Sequence, residues 1–118
     1  MLPSIGIDVV EIARVERALR RHPRLAERLF TSAELDYAGR RARPGRHLAA
    51  RFAAKEAVIK ALDGPALAPA EIEIVADPAP RVALRGRAAE LAGDRELSVS
   101  LTHSRETAAA AALADPPR

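Results

Sequence analysis

Apolar and polar positions alternate in several short stretches of this chain and recur at helical spacing in others. Ile5, Gly6, Ile7, Asp8, Val9 and Val10 form an apolar, β-branched run broken by one acid, which predicts a buried strand. From Glu11 to His22 the spacing turns helical, with Ile12, Val15 and Leu19 as the apolar stripe and Pro23 as the stop. Residues 24–30 add a turn or two carrying Leu25 and Leu29. Thr31 and Glu34 form a capping box that predicts a helix from Ser32 to about Arg40, and Pro44 with Gly45 predicts a loop over 41–45. A long helix follows from Arg46 or His47 to Leu62, ended by Asp63, Gly64 and Pro65. Its stripe of Leu48, Phe52, Ile59 and Leu62 is expected to face the core, with Glu56 and Lys60 on a flank shared with Ala49 and Ala53, small residues that leave a ligand room. Residues 71–75 and 81–85 alternate as strands joined by a stiff hairpin connection at 77–80. A short helix over 87–92 ends at Gly93, and Leu97–Thr102 alternates strictly, with Leu97, Val99 and Leu101 inward and His103 and Ser104 at its end. Residues 107–113 are nearly all alanine: composition favours a helix, and position allows a strand pairing back on 97–102. Residues 115–118 read as a tail, and no repeat or linker divides the chain, so 1–118 is read as one domain.

Composition narrows the core. Hydrophobic residues are 48% of the 118, yet the aromatics are only Phe30, Tyr37 and Phe52. The core must come from Ala, Leu, Val and Ile, and alanine buries little area per residue, which is a modest reason to expect an oligomer. There is no cysteine, so neither a disulfide frame nor a thiolate metal site exists and a reducing compartment fits. No apolar stretch approaches the ~20 residues of a membrane span, and the N-terminus lacks the pattern of a signal peptide. A cytoplasmic protein is expected.

Charge adds a direction. The net charge is +3, and Arg14 to Arg46 carries ten arginines against four acids, Glu16, Glu27, Glu34 and Asp36. Such a surface suits an acidic partner: nucleic acid, an acidic protein or a phosphorylated metabolite. Arg14, Arg17 and Arg21 recur on one helix face, which is equally the pattern of a solvated surface. The only two lysines, Lys55 and Lys60, both fall in the long helix. Lysine is a compact, mobile point charge where arginine is a planar fork, so a chain rich in arginine keeps lysine where an ammonium has a particular task. Glu56 stands four residues before Lys60 and projects from the same side. That is either an ordinary helix pair, worth roughly 0.2–0.5 kcal/mol, or an oxygen ligand beside a cation. Asp8 is open in the same way: it could cap the following helix or serve as a ligand.

Three segments resolve these choices by resemblance. Gly6 to Arg14 (Gly6, Ile7, Asp8, Val9, Val10, Glu11, Ile12, Ala13, Arg14), Arg51 to Leu62 (Arg51, Phe52, Ala53, Ala54, Lys55, Glu56, Ala57, Val58, Ile59, Lys60, Ala61, Leu62), and Val99 to Ser104 (Val99, Ser100, Leu101, Thr102, His103, Ser104) resemble the signature blocks of the holo-acyl-carrier-protein synthases, small bacterial phosphopantetheinyl transferases. Leu25 to Asp36 is similar to that family too, so the resemblance covers essentially the whole chain. It implies an α+β fold with a long helix packed on a small, mainly antiparallel sheet, assembled as a homotrimer with active sites at the subunit interfaces. It implies transfer of 4′-phosphopantetheine from coenzyme A to a serine of apo acyl carrier protein in fatty-acid biosynthesis, with release of adenosine 3′,5′-bisphosphate. Asp8 and Glu56 are then the ligands of Mg²⁺, or Mn²⁺ in its place. Glu56 and Lys60 are the catalytic pair. Arg51, Lys60 and His103 contact coenzyme A, although a histidine such as His103 is more often structural. Arg14, Arg21, Arg24 and Arg28 dock the acidic carrier.

The chemistry agrees with that implication. Phosphoryl transfer needs positioning and charge neutralisation more than covalent participation, and a hard divalent cation takes carboxylate and phosphate oxygens. The chain departs from the family pattern at Ser4 and in the short loop 63–69, which bears on coenzyme A contacts. It departs again at Ala79 and Pro80, where the family has a glycine turn. A basic nucleic-acid-binding module, a carrier-protein binder without catalysis and a metal-dependent phosphohydrolase are the rival classes. Three aromatics leave little for base stacking, intact Asp8, Glu56 and Lys60 favour catalysis, and the arginine face favours a carrier over simple hydrolysis. No nucleic acid and no membrane partner are expected.

Overall fold

Asp8 and Glu56 are brought together by one helix lying across one sheet. The computed structural model describes residues 1–76 and 79–117. Strand β1 (Ser4–Glu11) leads into helix α1 (Ile12–Arg21), a short α2 (Leu25–Leu29), α3 (Ser32–Gly39) and the long α4 (Pro44–Leu62). A 3₁₀ turn (Pro69–Glu71), β2 (Ile72–Val75), β3 (Arg81–Leu84), α5 (Gly86–Ala92), β4 (Leu97–His103) and β5 (Thr107–Ala114) complete the order. The strands form an antiparallel sheet β1-β5-β4 and a separate antiparallel pair β2-β3. Asp77 and Pro78 of the expected 77–80 connection, and the last residue of the tail, lie outside the described residues. Among the described residues no helix is long and apolar enough to cross a membrane.

Alanine decides the packing. α4 crosses all three strands of the larger sheet, and the face it presents is Ala49, Ala50, Ala53, Ala54, Ala57, Val58 and Ala61. A side chain at Gly6 would overlap the Ala57 carbonyl, so strand and helix backbones nearly touch there and only glycine fits. This corrects the expected core stripe: Leu48 and Leu62 are buried, but Phe52 and Ile59 are only half-buried, and Ala49 and Ala53 are sealed in the core rather than open to a ligand. The expected loop over 41–45 is also shortened. Pro44 and Gly45 are the first residues of α4, because proline's fixed φ and missing N–H suit the first helical turn.

The alanine run 107–114 is a strand. It sits between β1 and β4, and its residues Ala108, Ala110, Ala112 and Ala114 are buried toward α4. Two pairing partners outweigh alanine's helix propensity. The register sets Gly6 opposite Ala112, Asp8 opposite Ala110 and Val10 opposite Ala108, so Asp8 lies on the helix-facing side. The alternate residues Ile5, Ile7 and Val9 are 72%, 64% and 62% exposed. β1 is therefore not the strand buried on both faces that its apolar run predicts. Its outer face is an open apolar row, continued on β5 by the exposed Leu113 opposite Ile5.

Candidate active site

The site begins at the β1–α4 crossing. Lys60, in the last turn of α4, donates to the Ile7 carbonyl at 2.9 Å and to Asp8 Oδ1 at 3.3 Å. Glu56, one turn earlier on the same side of α4, lines a cavity of about 700 Å³ with Asp8, Glu11, Arg14, Phe52 and Thr107. Burial pushes the Glu56 carboxyl up from its ordinary range, the Asp8 charge pushes it further, and the Lys60 ammonium partly opposes both. The helix-cap alternative for Asp8 fails: the N-cap of α1 is Glu11, with no side-chain cap bond.

Two repelling carboxylates in one cavity, offering only oxygen donors, are the kind of set a hard divalent cation stabilises. Among the described residues no group of three or more Asp, Glu, His or Cys forms a fuller metal cage. Asp8 and Glu56 would then supply two ligands and leave the other positions to phosphate oxygens and water.

The remaining expected residues fall elsewhere. Arg51 is five residues before Glu56, which rotates its side chain away from the cavity. It packs on the Tyr37 ring, with its Cζ 4.1 Å from the centroid. His103 is exposed at the end of β4, its ring 6.1 Å from that of His47. Within one chain, then, Asp8, Glu56 and Lys60 are together, while Arg51 and His103 join a different cluster. Arg14, Arg21, Arg24 and Arg28 are all exposed on α1 and around α2, and among the described residues none forms an ion pair.

Sequence reasoning missed the use of Lys55. It is fully buried, pairs with Glu34 Oε1 at 2.7 Å, and donates to the Pro69 and Ile72 carbonyls at 2.9 and 2.6 Å. Burial lowers its proton affinity against the opposing pull of Glu34. Glu34 is the capping-box residue, accepting from Thr31 N at 2.8 Å, and its other oxygen accepts from Ile74 N at 2.9 Å. The signal was present: Lys55 lies within the alanine face of α4. Also missed was Arg43, which joins Glu16 of α1 at 3.0 Å to the Arg105 carbonyl at 2.9 Å and holds Glu16 well ionised.

A small α+β domain whose first strand and long helix present two carboxylates to one cavity, one of them bonded to a lysine ammonium, fits a phosphate-transferring enzyme. Residues 4–114 match the family model of the 4′-phosphopantetheinyl transferase superfamily, and the chain belongs to that family. It is 52% identical to a holo-[acyl-carrier-protein] synthase of Moorella thermoacetica, over 93% of this chain and 91% of that protein. It is 46% identical to one of Salinispora arenicola, over 98% and 99%. Its fold superposes on the coenzyme A complex of the Chronobacterium ammoniagenes enzyme with a TM-score of 0.86, at 35% identity and full coverage of both chains. The Helicobacter pylori holo-[acyl-carrier-protein] synthase in complex with coenzyme A gives 0.83 at 30% identity, covering 94% of this chain and 99% of that one.

Proposed function

We propose that this enzyme transfers 4′-phosphopantetheine from coenzyme A to a serine hydroxyl of an apo acyl carrier protein, in fatty-acid biosynthesis in the cytoplasm. The observation that carries the reading is the convergence of Asp8, Glu56 and Lys60 at the β1–α4 crossing, in a chain of this family.

In the reaction the serine Oγ attacks the phosphorus that bears the pantetheine arm. The bond from that phosphorus to the bridging oxygen breaks, and adenosine 3′,5′-bisphosphate leaves with the bridging oxygen. Asp8 and Glu56 would hold Mg²⁺, with Mn²⁺ as the alternative, and the metal, when bound, neutralises charge on the diphosphate. The Glu56 carboxylate, with its raised proton affinity, is suited to receive the serine proton. Lys60 is kept by the Ile7 carbonyl beside the same site, where its ammonium balances charge on the departing phosphate. Arg51 and His103 are assigned to the nucleotide part of coenzyme A.

The arginines of α1 and α2 are proposed as the carrier dock. Being exposed and, among the described residues, free of internal ion pairs, they are available to an acidic surface and act mainly on association rate and orientation. The open apolar row of Ile5, Ile7, Val9 and Leu113 supports a homotrimer that covers it. Sites at its interfaces would set the Arg51–His103 cluster of one copy near the Asp8–Glu56 pair of the next. The test is mass spectrometry of an apo carrier incubated with the protein, coenzyme A and Mg²⁺. A phosphopantetheine adduct is expected, and no adduct on any of several carriers with folded protein would overturn the reading.

A further inference from the structure

Helix α1 carries half of the proposed carrier dock, and very little of it reaches the core. Of its ten residues only Ile12, the first, is fully buried. The Ile12 N–H donates to the Glu106 carbonyl in the β4–β5 turn at 2.9 Å. The short α2 that follows has no buried residue. A helix pinned at one end is free to pivot, so its rotation needs a second fixed point.

Glu16, one turn further on, supplies it. It is the single acid on α1 among four arginines, Arg14, Arg17, Arg20 and Arg21. Its local partner by spacing is Arg20, four residues ahead, yet the carboxylate turns to Arg43, the N-cap residue of α4. Arg43 Nη2 donates to Glu16 Oε1 at 3.0 Å and Nε donates to Oε2 at 3.3 Å, a two-pronged grip. The remaining Nη1 donates to the Arg105 carbonyl at 2.9 Å. The Arg43 hydrogen bonds, more than the Arg20 charge, hold the Glu16 carboxyl below its ordinary range. Gly45 completes the seat, since a side chain there would overlap the Glu16 carboxylate. α1, α4 and the β4–β5 turn therefore meet at one carboxylate.

This contact lies behind the working face of the helix. Arg14, Val15, Ala18 and Leu19 line the cavity that holds Asp8 and Glu56, and Arg21 follows Arg14 by two turns on the same side. Glu16 is about 200° round the helix from Arg14. We propose that Glu16 and Arg43, seated on Gly45, are positioning residues for carrier docking: they brace α1 so that Arg14 and Arg21 are presented beside the Asp8–Glu56 cavity. The inference rests on the carrier-dock reading above. It has a sign of its own. Removing the Glu16 charge makes α1 more positive, and on charge alone an acidic carrier would then dock better. With a brace, the same change weakens docking, because Arg14 and Arg21 lose their fixed orientation. The Arg43 and Glu16 side chains are 39% and 22% exposed, so the pair contributes little to global stability. Its loss is read in docking rather than in folding.

The test is steady-state transfer by wild type, E16Q, R43Q, the double variant and G45A, with hydrogen exchange of the free proteins beside it. E16Q is expected to raise the carrier's KM by about two- to fivefold, with kcat, the KM of coenzyme A and Tm near wild type. The double variant should be no worse than the poorer single variant, the non-additivity of interacting partners. G45A keeps every charge and favours the helix, yet it displaces the Glu16 carboxylate and should raise the carrier's KM too. Amide exchange over residues 17–21 should quicken in E16Q while that of residues 48–62 stays as it was. A carrier KM in E16Q at or below the wild-type value overturns the inference, as do equal rises for both substrates or a G45A enzyme that docks normally. Charge reversal at Arg14 and Arg24 in the same assay tests the dock separately, so a normal E16Q beside an impaired reversal variant condemns the brace and leaves the dock. If wild type modifies no carrier, the transferase reading falls and exchange decides: a quickened 17–21 supports the brace, and unchanged exchange overturns it.

Discussion

Replacing Lys55 with methionine should be among the most damaging single changes in the molecule. The ammonium is sealed from solvent and engages Glu34 at 2.7 Å, the Pro69 carbonyl at 2.9 Å and the Ile72 carbonyl at 2.6 Å. Methionine fills similar space, so the loss is electrostatic: Glu34 keeps a buried charge without its counter-ion, and two carbonyls lose a donor. Breaking a buried pair in this way costs roughly 3–5 kcal/mol. With an unfolding entropy of about 2.1 cal/mol/K per residue, 118 residues give about 0.25 kcal/mol/K, so Tm should fall by roughly 12–20 °C. K55M combined with E34Q should recover at least half of that, because the glutamine oxygen can still accept from Ile74 N while the stranded charge is gone. Recovery stays incomplete, since both carbonyls remain unserved. Thermal denaturation of wild type, the single variant and the double variant at one protomer concentration is the assay. A single-variant drop below about 4 °C, or a double variant no better than the single, would refute the claim that this pair ties α3, α4 and β2 together.

Other consequences are as direct. Reversing charge at Arg14 and Arg24 together should raise the carrier's KM by at least several-fold while moving that of coenzyme A little, with the difference shrinking as salt rises; equal changes in both KM values would reject the dock. Ile7→Glu, in the middle of the open row of β1, should shift the assembly toward monomer in analytical ultracentrifugation, and an unchanged assembly would remove this face as the interface. His47 predicts an acid limb in stability. Its folded proton affinity is lowered, so below its ordinary value of 6.5 the unfolded chain binds the proton more readily, and stability declines as pH falls from 6.5 to the lower folded value. H47Q should flatten that limb in denaturant titrations across pH, and an identical limb in H47Q would contradict the assignment.

The local signals in the chain were legible and the long-range ones were not. Thr31 and Glu34 announce their capping box within four residues, and the box is present as expected, with Thr31 Oγ1 accepting from Glu34 N and Glu34 bonding back. The end of α4 at Leu62 was readable from Asp63, Gly64 and Pro65. Its start was read two residues late or more, because Pro44 and Gly45 look like a loop and are in fact its first turn. Which face the helix buries was not readable, because an amphipathic reading assigns the largest apolar residues to the core, and here the near contact of Gly6 with Ala57 admits only alanine. Residues 107–114 have no intrinsic reason to be a strand; they become one by sitting between β1 and β4. The place of Lys55 on the alanine face of α4 was legible, but its three partners were not, since Glu34, Pro69 and Ile72 are distant in the chain. For Asp8, Glu56 and Lys60 the residue patterns alone left ordinary alternatives standing. Family resemblance singled out the three, and the β1–α4 crossing brings them to one place.

The most direct test of the account is the transfer rate onto an apo carrier, followed by mass spectrometry across a Mg²⁺ titration, for wild type and Glu56→Gln. Wild type should modify the carrier only when a divalent cation is supplied. Glu56→Gln, which removes a ligand charge and the proton acceptor without changing shape, should lose at least about 10²-fold in rate, the scale on which a positioned acid–base group acts. Its Tm should remain near that of wild type. A variant that transfers at the wild-type rate with the same Mg²⁺ dependence would contradict the placement of the metal and the chemistry at the β1–α4 crossing.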